Sequence, residues 1–312
     1  GWAGGSPAPA ATAWSAGTVW VPGTHHAAAV NPADTLADAA HYLDQAVGAH
    51  APAALRRAFL AHGAEAIRTL ETRAGLRLRP YARHPDYLSE LAGSTLAGRA
   101  LEPVPFDGRQ LGAAFARLRP PIPEFTVLGG MMVDRSDIQH LLAMQRSAAS
   151  LRHAVRILGR HALDRLRHPR GTRLVMGNAL AGRLLHALLQ QGAVTLVFGT
   201  RLERIERGAA GVQAVVLAGA GQTRRVPVPA GVMLASGGFV RDPALRAQML
   251  PGIAPTWSPG APGHGGDLHG MAREAGAVYG QGAKSHAFWA PVSLRQRADG
   301  STAAFPHFVM DR

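Results

Sequence analysis

The chain has 312 residues, enough for one large domain or two, and 47% of them are hydrophobic, so a buried core is within reach. Cysteine is absent, which excludes disulfides, thiolate metal sites, cysteine nucleophiles and a cysteine-tethered cofactor, and fits a reducing, cytoplasmic compartment. The formal charge of +13 sits almost wholly on scattered arginines without a basic run or interleaved aromatics, which argues against nucleic-acid binding, and no apolar run reaches the length of a membrane span.

Gly1–Ala10 shows no periodicity, and Thr18–Val21 predicts a short strand. His25 and His26 stand side by side, but neighbours on an extended segment point to opposite faces, so no metal site is expected. Asn31–Thr35 leads into an amphipathic helix with Leu36, Ala39, Leu43 and Ala46 on one face. A second helix spans about Ala51–Ala74, striped by Leu55, Phe59, Ile67 and Leu70. Arg79–Tyr87 is basic, aromatic and broken by two prolines, an irregular loop of the kind that lines sites. Leu101–Pro123 reads as a second Pro-broken loop. Phe125–Asp134 is either a strand running to Gly129-Gly130 against a substrate, or a bulge and an N-cap, Asp134 or Ser136, for a helix at Asp137–Ala148. A helix at Leu151–Leu166 is read with Arg152, Arg156, Arg160 and Arg167 in solvent.

The most informative stretch runs from Arg170 to Phe239. Leu180, Leu184, Leu185, Leu188 and Leu189 recur at helical spacing, with Asn178 as N-cap and Gly192 as stop. Ala193–Phe198 reads as a buried strand. Leu202–Arg207, Val212–Leu217 and Thr223–Val228, separated by Gly-rich turns, predict a three-stranded antiparallel meander. Gly231–Phe239 reads as a second buried strand ending in Gly237-Gly238, where backbone approaches a ligand with no Cβ in the way.

Beyond it, Arg241-Asp242-Pro243 starts a short helix that Pro251 ends. A Gly/Pro loop from Trp257 to Asp267 leads into a helix at Leu268–Ala275, with Asp267 as N-cap. Ala277–Gly282 predicts a strand, and Gly300 turns a hairpin between Val292–Arg297 and Ala303–Val309. No GxSxG or P-loop occurs, so a serine hydrolase or P-loop nucleotidase is not supported.

Four phrases in order, TAWSAGTVWVPG, RGTRLVMGNALAGRLL, LASGGF and GDLHGMAREAGA, resemble the fumarate reductase/succinate dehydrogenase flavoprotein superfamily and, within it, the 3-ketosteroid Δ1-dehydrogenases. The resemblance implies an α/β fold: a two-dinucleotide-binding-type FAD domain with a parallel sheet, helices and a three-stranded β-meander. It would occupy residues 1–250 with a helical insert at about 36–167, and a substrate-capping domain would begin at 251–312. The cofactor implied is FAD, contacted by Thr12, Ser15, Gly17, Ala235, Gly237, Gly238, Gly266 and Asp267. Asp267 can cap its helix at the same time. The chain departs from the family where Pro9, Ala10, Ala11 and Ala16 replace expected Gly and Thr residues, and where Leu268 replaces a Gly. The family's opening strand, GxGxxG turn and helix are also missing, so the chain reads as a fragment cut at both ends.

The implied activity removes or adds two hydrogens at a carbon–carbon bond next to a carbonyl, with an unspecified electron acceptor. Tyr87 matches the family's proton-transfer tyrosine; a surface tyrosine is the other reading. Phe288-Trp289 suits an apolar ketone such as a steroid. The alternatives are fumarate reductase or succinate dehydrogenase chemistry on small dicarboxylates, and a fragment that binds no flavin.

Overall fold

The computed structural model describes residues 11–278 and 285–307, which fall into two compact units, 12–194 and 195–309. In the first unit the short strand β1 (Val19–Trp20) follows a turn at Gly17. Thr35 then opens α1 (Leu36–Ala46), its hydroxyl accepting from the Asp38 amide at 3.1 Å. The long helix α2 (Ala53–Ala74) ends at Gly75, whose φ of 60° suits a residue without a Cβ. On its inward face Ile67, from the expected stripe, is buried together with Leu60, whereas Leu55 is 65% exposed and Phe59 and Leu70 are exposed as well. Helical rotation carries this face on to Glu71, one turn past Ile67.

Strand β2 (Leu78–Pro80) follows, and the stretch expected to be a plain loop is largely ordered. It forms β3 (Ala100–Pro103), β4 (Phe106–Asp107) and a 3₁₀ run over Gly108–Arg117, which the Asp107 carboxylate caps through the Arg109 amide. Strand β3 lies between β1 and β2, antiparallel to both. Val21, Ile67, Leu76, Leu78 and Leu101 close the core here, with Leu180 packed against them. Each such side chain contributes about 1.5–3 kcal/mol when fully buried.

The Gly129-Gly130 pair turns a hairpin between β5 (Thr126–Val127) and β6 (Met131–Met132). Asp134 then caps α3 (Arg135–Leu142) in a reciprocal capping box with Asp137. This helix stops short of Ala148 because Ser147 starts a new one, α4 (Ala148–Arg165). Arg160, expected in solvent, instead donates to Asp107 at 2.7 Å. Strand β7 (Arg173–Leu174) pairs with β4 and leads into α5 (Met176–Gln190). Val175, not Asn178, occupies the N-cap; Asn178 is a fully buried residue of the first turn.

The second unit carries the expected meander, β8 (Arg201–Gly208), β9 (Gly211–Gly219) and β10 (Gln222–Pro227), antiparallel with β9 central. Residues 193–198 and 231–238, expected as buried strands, enter no ladder among the described residues, and Val197 and Met233 are 61% and 92% exposed. Apolar runs of this kind are buried only when a sheet places them between layers, and their side chains stand open here. The helix α6 (Pro243–Met249) is capped by Asp242. Gly266, not Asp267, is the N-cap of α7 (Asp267–Glu274), its φ of 74° placing Asp267 at the first helical position. The strand expected at Ala277–Gly282 lies mostly outside the described residues. Strands β11 (Val292–Gln296) and β12 (Thr302–Pro306) form the hairpin around Gly300. No helix among the described residues is long and apolar enough to cross a membrane.

Candidate functional site

The loop Thr12–Gly17 folds on itself and onto the start of α5. Ser15 Oγ donates to the Thr12 carbonyl at 2.9 Å and accepts from the Gly17 amide at 3.0 Å. The Gly177 amide donates to the Ser15 carbonyl at 3.0 Å. Contact is so close that a Cβ on Gly17 would lie 2.7 Å from the Gly177 nitrogen, and one on Gly177 would lie 2.6 Å from the Ser15 oxygen. Thr12, Ser15 and Gly17 are thus gathered at a helix N-terminus, where the helix dipole favours an anionic group, with the Gly177 amide already taken by the Ser15 carbonyl.

Two residues that the sequence did not single out as site residues hold this end in place. Asn178 donates through Nδ2 to the Ala13 carbonyl at 3.1 Å and the Arg119 carbonyl at 3.0 Å. Arg170 donates to its Oδ1 at 3.1 Å and lies over the Phe115 ring at 4.4 Å. Burial pushes the Arg170 guanidinium down to about 10, so it remains a cation at neutral pH. The only signal was the RGTRLVMGN phrase itself; pairing across the chain is invisible to local spacing.

Tyr87 follows Asp86, a carboxylate fixed by Arg99 at 2.7 Å, the Trp20 indole at 2.6 Å and the Thr95 amide at 3.0 Å. The backbone beside the phenol is therefore rigid while the ring is 45% exposed. Burial of the rest pushes its phenol up from the ordinary value of 10.0. His84 meets Tyr87 edge-on at 6.4 Å and Tyr81 at 4.9 Å. Burial, ahead of every other influence, lowers the His84 imidazole, which favours its neutral form.

In the second unit, Gly237, Gly238 and Gly266 come together, and Ala235 lies two positions before Gly237 on the exposed run. Gly237 has φ 89°, and a Cβ there would lie 2.6 Å from His264 Nε2; beside Gly238 the space is open. His269 Nε2 lies 3.2 Å from the Gly237 carbonyl, and its ring meets Phe239 edge-on at 6.2 Å. A Cβ on Gly266 would lie 3.3 Å from Phe239, which brings the start of α7, with Asp267, to the glycine pair. Gly238 and Phe239 line a cavity of about 440 Å³ with Leu250, Ile253, Trp257 and Trp289. Its floor is held by buried Arg246, which donates to the Ile253 and Ala254 carbonyls at 3.1 and 3.0 Å.

These features suit FAD. Each unit has one feature of that kind: in the second, a glycine pair with open space beside Gly238 admits a flat ring to backbone contact, and in the first, a helix N-terminus favours an anionic group. A second cavity, about 490 Å³, is lined by Arg77, Arg160, Arg173, Arg183, Asp107 and His186. Asp107 engages Arg160, and Asp137 engages Arg173 at 2.7 Å, so much of that charge is already matched. One geometric expectation fails. His25 and His26 are not on opposite faces: both imidazoles meet the Glu71 carboxylate.

Residues 3–310 match the family described as FAD binding domain. The chain is 30% identical over 298 residues to 4-oxocyclohex-2-ene-1-carboxylate 5-dehydrogenase of Sinomonas cyclohexanicum, covering 95% of this chain and 50% of that protein. It is 28% identical to 3-oxosteroid 1-dehydrogenase of Mycolicibacterium smegmatis, covering 90% of this chain and 49% of the relative. The crystal structure of 3-ketosteroid Δ1-dehydrogenase from Sterolibacterium denitrificans, in complex with 1,4-androstadiene-3,17-dione, superposes with a TM-score of 0.83 at 28% identity, over 97% of this chain and 54% of that one. The chain spans about half the length of the relatives it matches. The resemblance read from the four ordered phrases is thereby borne out: the chain belongs to the FAD binding domain family.

Proposed function

We propose that this chain is the FAD-binding part of a dehydrogenase that removes two hydrogens from adjacent carbons next to a ring ketone. The observation that carries the reading is the apolar cavity opening at Gly238, walled by Phe239, Leu250, Ile253, Trp257 and Trp289. Its volume is that of a small-molecule pocket, and its aromatic walls suit a ring rather than a dicarboxylate. Arg246 also lines the cavity; its Nη2 is held by the Ile253 and Ala254 carbonyls, while its buried Nε has no hydrogen-bond partner.

Bound FAD supplies the hydride acceptor. The residues proposed to hold it are Thr12, Ser15, Gly17, Ala235, Gly237, Gly238, Gly266 and Asp267. Tyr87 is the proposed proton-handling group. A phenol raised by burial stays protonated at neutral pH, so it serves as a donor to the ketone oxygen. Polarising that carbonyl acidifies the neighbouring C–H, whose proton would pass to a base, while the hydrogen of the next carbon would leave as hydride to bound FAD. The likeness to relatives named for an oxocyclohexene carboxylate and for 3-oxosteroids supports a cyclic ketone as substrate. The electron acceptor is a separate partner, and a cytoplasmic setting fits the cysteine-free composition.

The test is a visible spectrum of the purified protein with added FAD, followed by turnover with an artificial electron acceptor. Co-eluting flavin and oxidation of a 3-oxosteroid or a 4-oxocyclohexanecarboxylate are expected, and the ratio of the two rates separates the ketone classes. A colourless protein indifferent to FAD, or reduction of fumarate alone, would overturn the proposal.

A further inference from the structure

In the first unit, the turn after β1 brings together three side chains that the proposed chemistry does not use. His26 Nε2 lies 2.7 Å from Glu71 Oε1, and His25 Nε2 lies 3.3 Å from Glu71 Oε2. The two imidazole centroids are 3.9 Å apart with a 37° tilt. The three ligand atoms all lie within 4.8 Å of one another.

The backbone explains the convergence. His26 has φ −76° and ψ −29°, a helical turn rather than extended chain. Successive side chains then diverge by about 100°, not 180°, so both rings reach the same side. Glu71 faces them from α2, one turn past buried Ile67, on a helix anchored by the core.

We propose that His25, His26 and Glu71 form a site for a divalent transition metal of the zinc class, which clips the segment following β1 to α2. Two imidazole nitrogens and one carboxylate oxygen are the ligand set of a three-ligand zinc site whose fourth position takes water. Tetrahedral bonds of about 2.0–2.1 Å put neighbouring ligand atoms about 3.3 Å apart; His25 Nε2 lies at that distance from Glu71 Oε2, and His26 Nε2 lies 2.7 Å from Glu71 Oε1. Nitrogen-rich sites of this kind prefer Cu²⁺, Ni²⁺ and Zn²⁺ over Mg²⁺ or Ca²⁺. The side chain of His25 is 44% exposed while those of His26 and Glu71 are 19% and 16% exposed, so an ion has a route in and a largely enclosed seat. Two adjacent imidazoles share a single carboxylate here.

The test is calorimetric titration of the full, tag-free chain, stripped with chelator, using Zn²⁺ and, separately, Mg²⁺. Co²⁺ titration is followed in the red-visible region, beyond oxidised flavin. One saturable equivalent of Zn²⁺, no Mg²⁺ binding and tetrahedral-intensity Co²⁺ bands are expected. Glu71→Gln and His26→Ala should each weaken Zn²⁺ binding at least tenfold and abolish the rise in Tm on adding Zn²⁺. His25→Ala, at the exposed edge and sparing the His26–Glu71 contact, should weaken it as much and covers the case in which the other two fail to fold. His62→Ala, on an exposed face of α2, should bind as wild type does. Absence of a saturable equivalent, or unchanged affinity in His25→Ala, would overturn the proposal.

Discussion

Asp86 and Arg99 form an ion pair at 2.7 Å in which both side chains are almost wholly buried. Asp34 takes the other edge of the same guanidinium at 2.6 Å, so the cation is matched by two carboxylates. Removing one member of a buried pair leaves an uncompensated charge, at a cost of about 3–5 kcal/mol. Asp86→Ala is therefore expected to lower the urea midpoint strongly with the slope unchanged. Because Asp86 also holds the Trp20 indole and the Thr95 amide, a loss below about 1 kcal/mol would show that the network is redundant.

Tyr87→Phe separates chemistry from packing. The phenol is half-exposed, so its removal should leave Tm close to wild type. The rate of flavin bleaching by a ring ketone should fall by about 10²–10⁴-fold if the hydroxyl handles a proton. A variant that bleaches at the wild-type rate would make Tyr87 a surface tyrosine and nothing more.

Gly17→Ala should damage the loop on two grounds. The residue sits at φ 71°, which L side chains rarely adopt, and its new methyl would meet the Gly177 backbone, which cannot swing away. The expected result is a lower Tm together with weaker flavin retention on gel filtration. Gly192→Ala, where nothing lies within 4 Å of the new methyl, serves as the control and should behave as wild type.

The acid limit of stability should trace to Asp137. Burial pushes its carboxyl up, but the Asp134 amide, His153 and Arg173 together outweigh burial and hold it below the ordinary value. A carboxylate depressed in the folded state stabilises above its unfolded value and loses that contribution as pH falls through the lower, folded one. Urea unfolding of wild type and Asp137→Asn should therefore differ most at neutral pH. The gap should close as pH drops below about 4. A gap that stays constant across that range would remove Asp137 from the acid response.

Local signals were enough for elements whose cause is local. The meander was legible because Gly-rich turns punctuate β-branched runs, and the helix starts near Thr35, Asp134 and Asp242 because short polar residues precede them; the structure shows each of these side chains serving an amide three positions on. The glycine pair at 237–238 stood out at the end of an apolar run, and the loop at 12–17 only through the family phrase. Misread elements had distant causes. Asn178 looks like a cap in sequence but is spent on carbonyls of Ala13 and Arg119. Arg160 looks solvated until Asp107 arrives from another segment. The histidine pair was misjudged because the rule applied was that of extended chain, while the backbone there turns helically. Residues 193–198 and 231–238 carry strand-like composition, yet composition cannot supply a neighbouring strand.

The Asn178 side chain also bears on the order in which the molecule assembles. Its bond to Ala13 closes a span of 165 residues, and its bond to Arg119 one of 59. Contacts so remote in sequence form late, because chain entropy must be surrendered before they reward it. Helix α5 can coil early on local forces, but its first turn reaches its final partners only when both distant segments arrive. The Thr12–Gly17 loop would then be among the last pieces of its unit to lock during refolding. The ability to retain flavin should therefore return more slowly than helical circular dichroism.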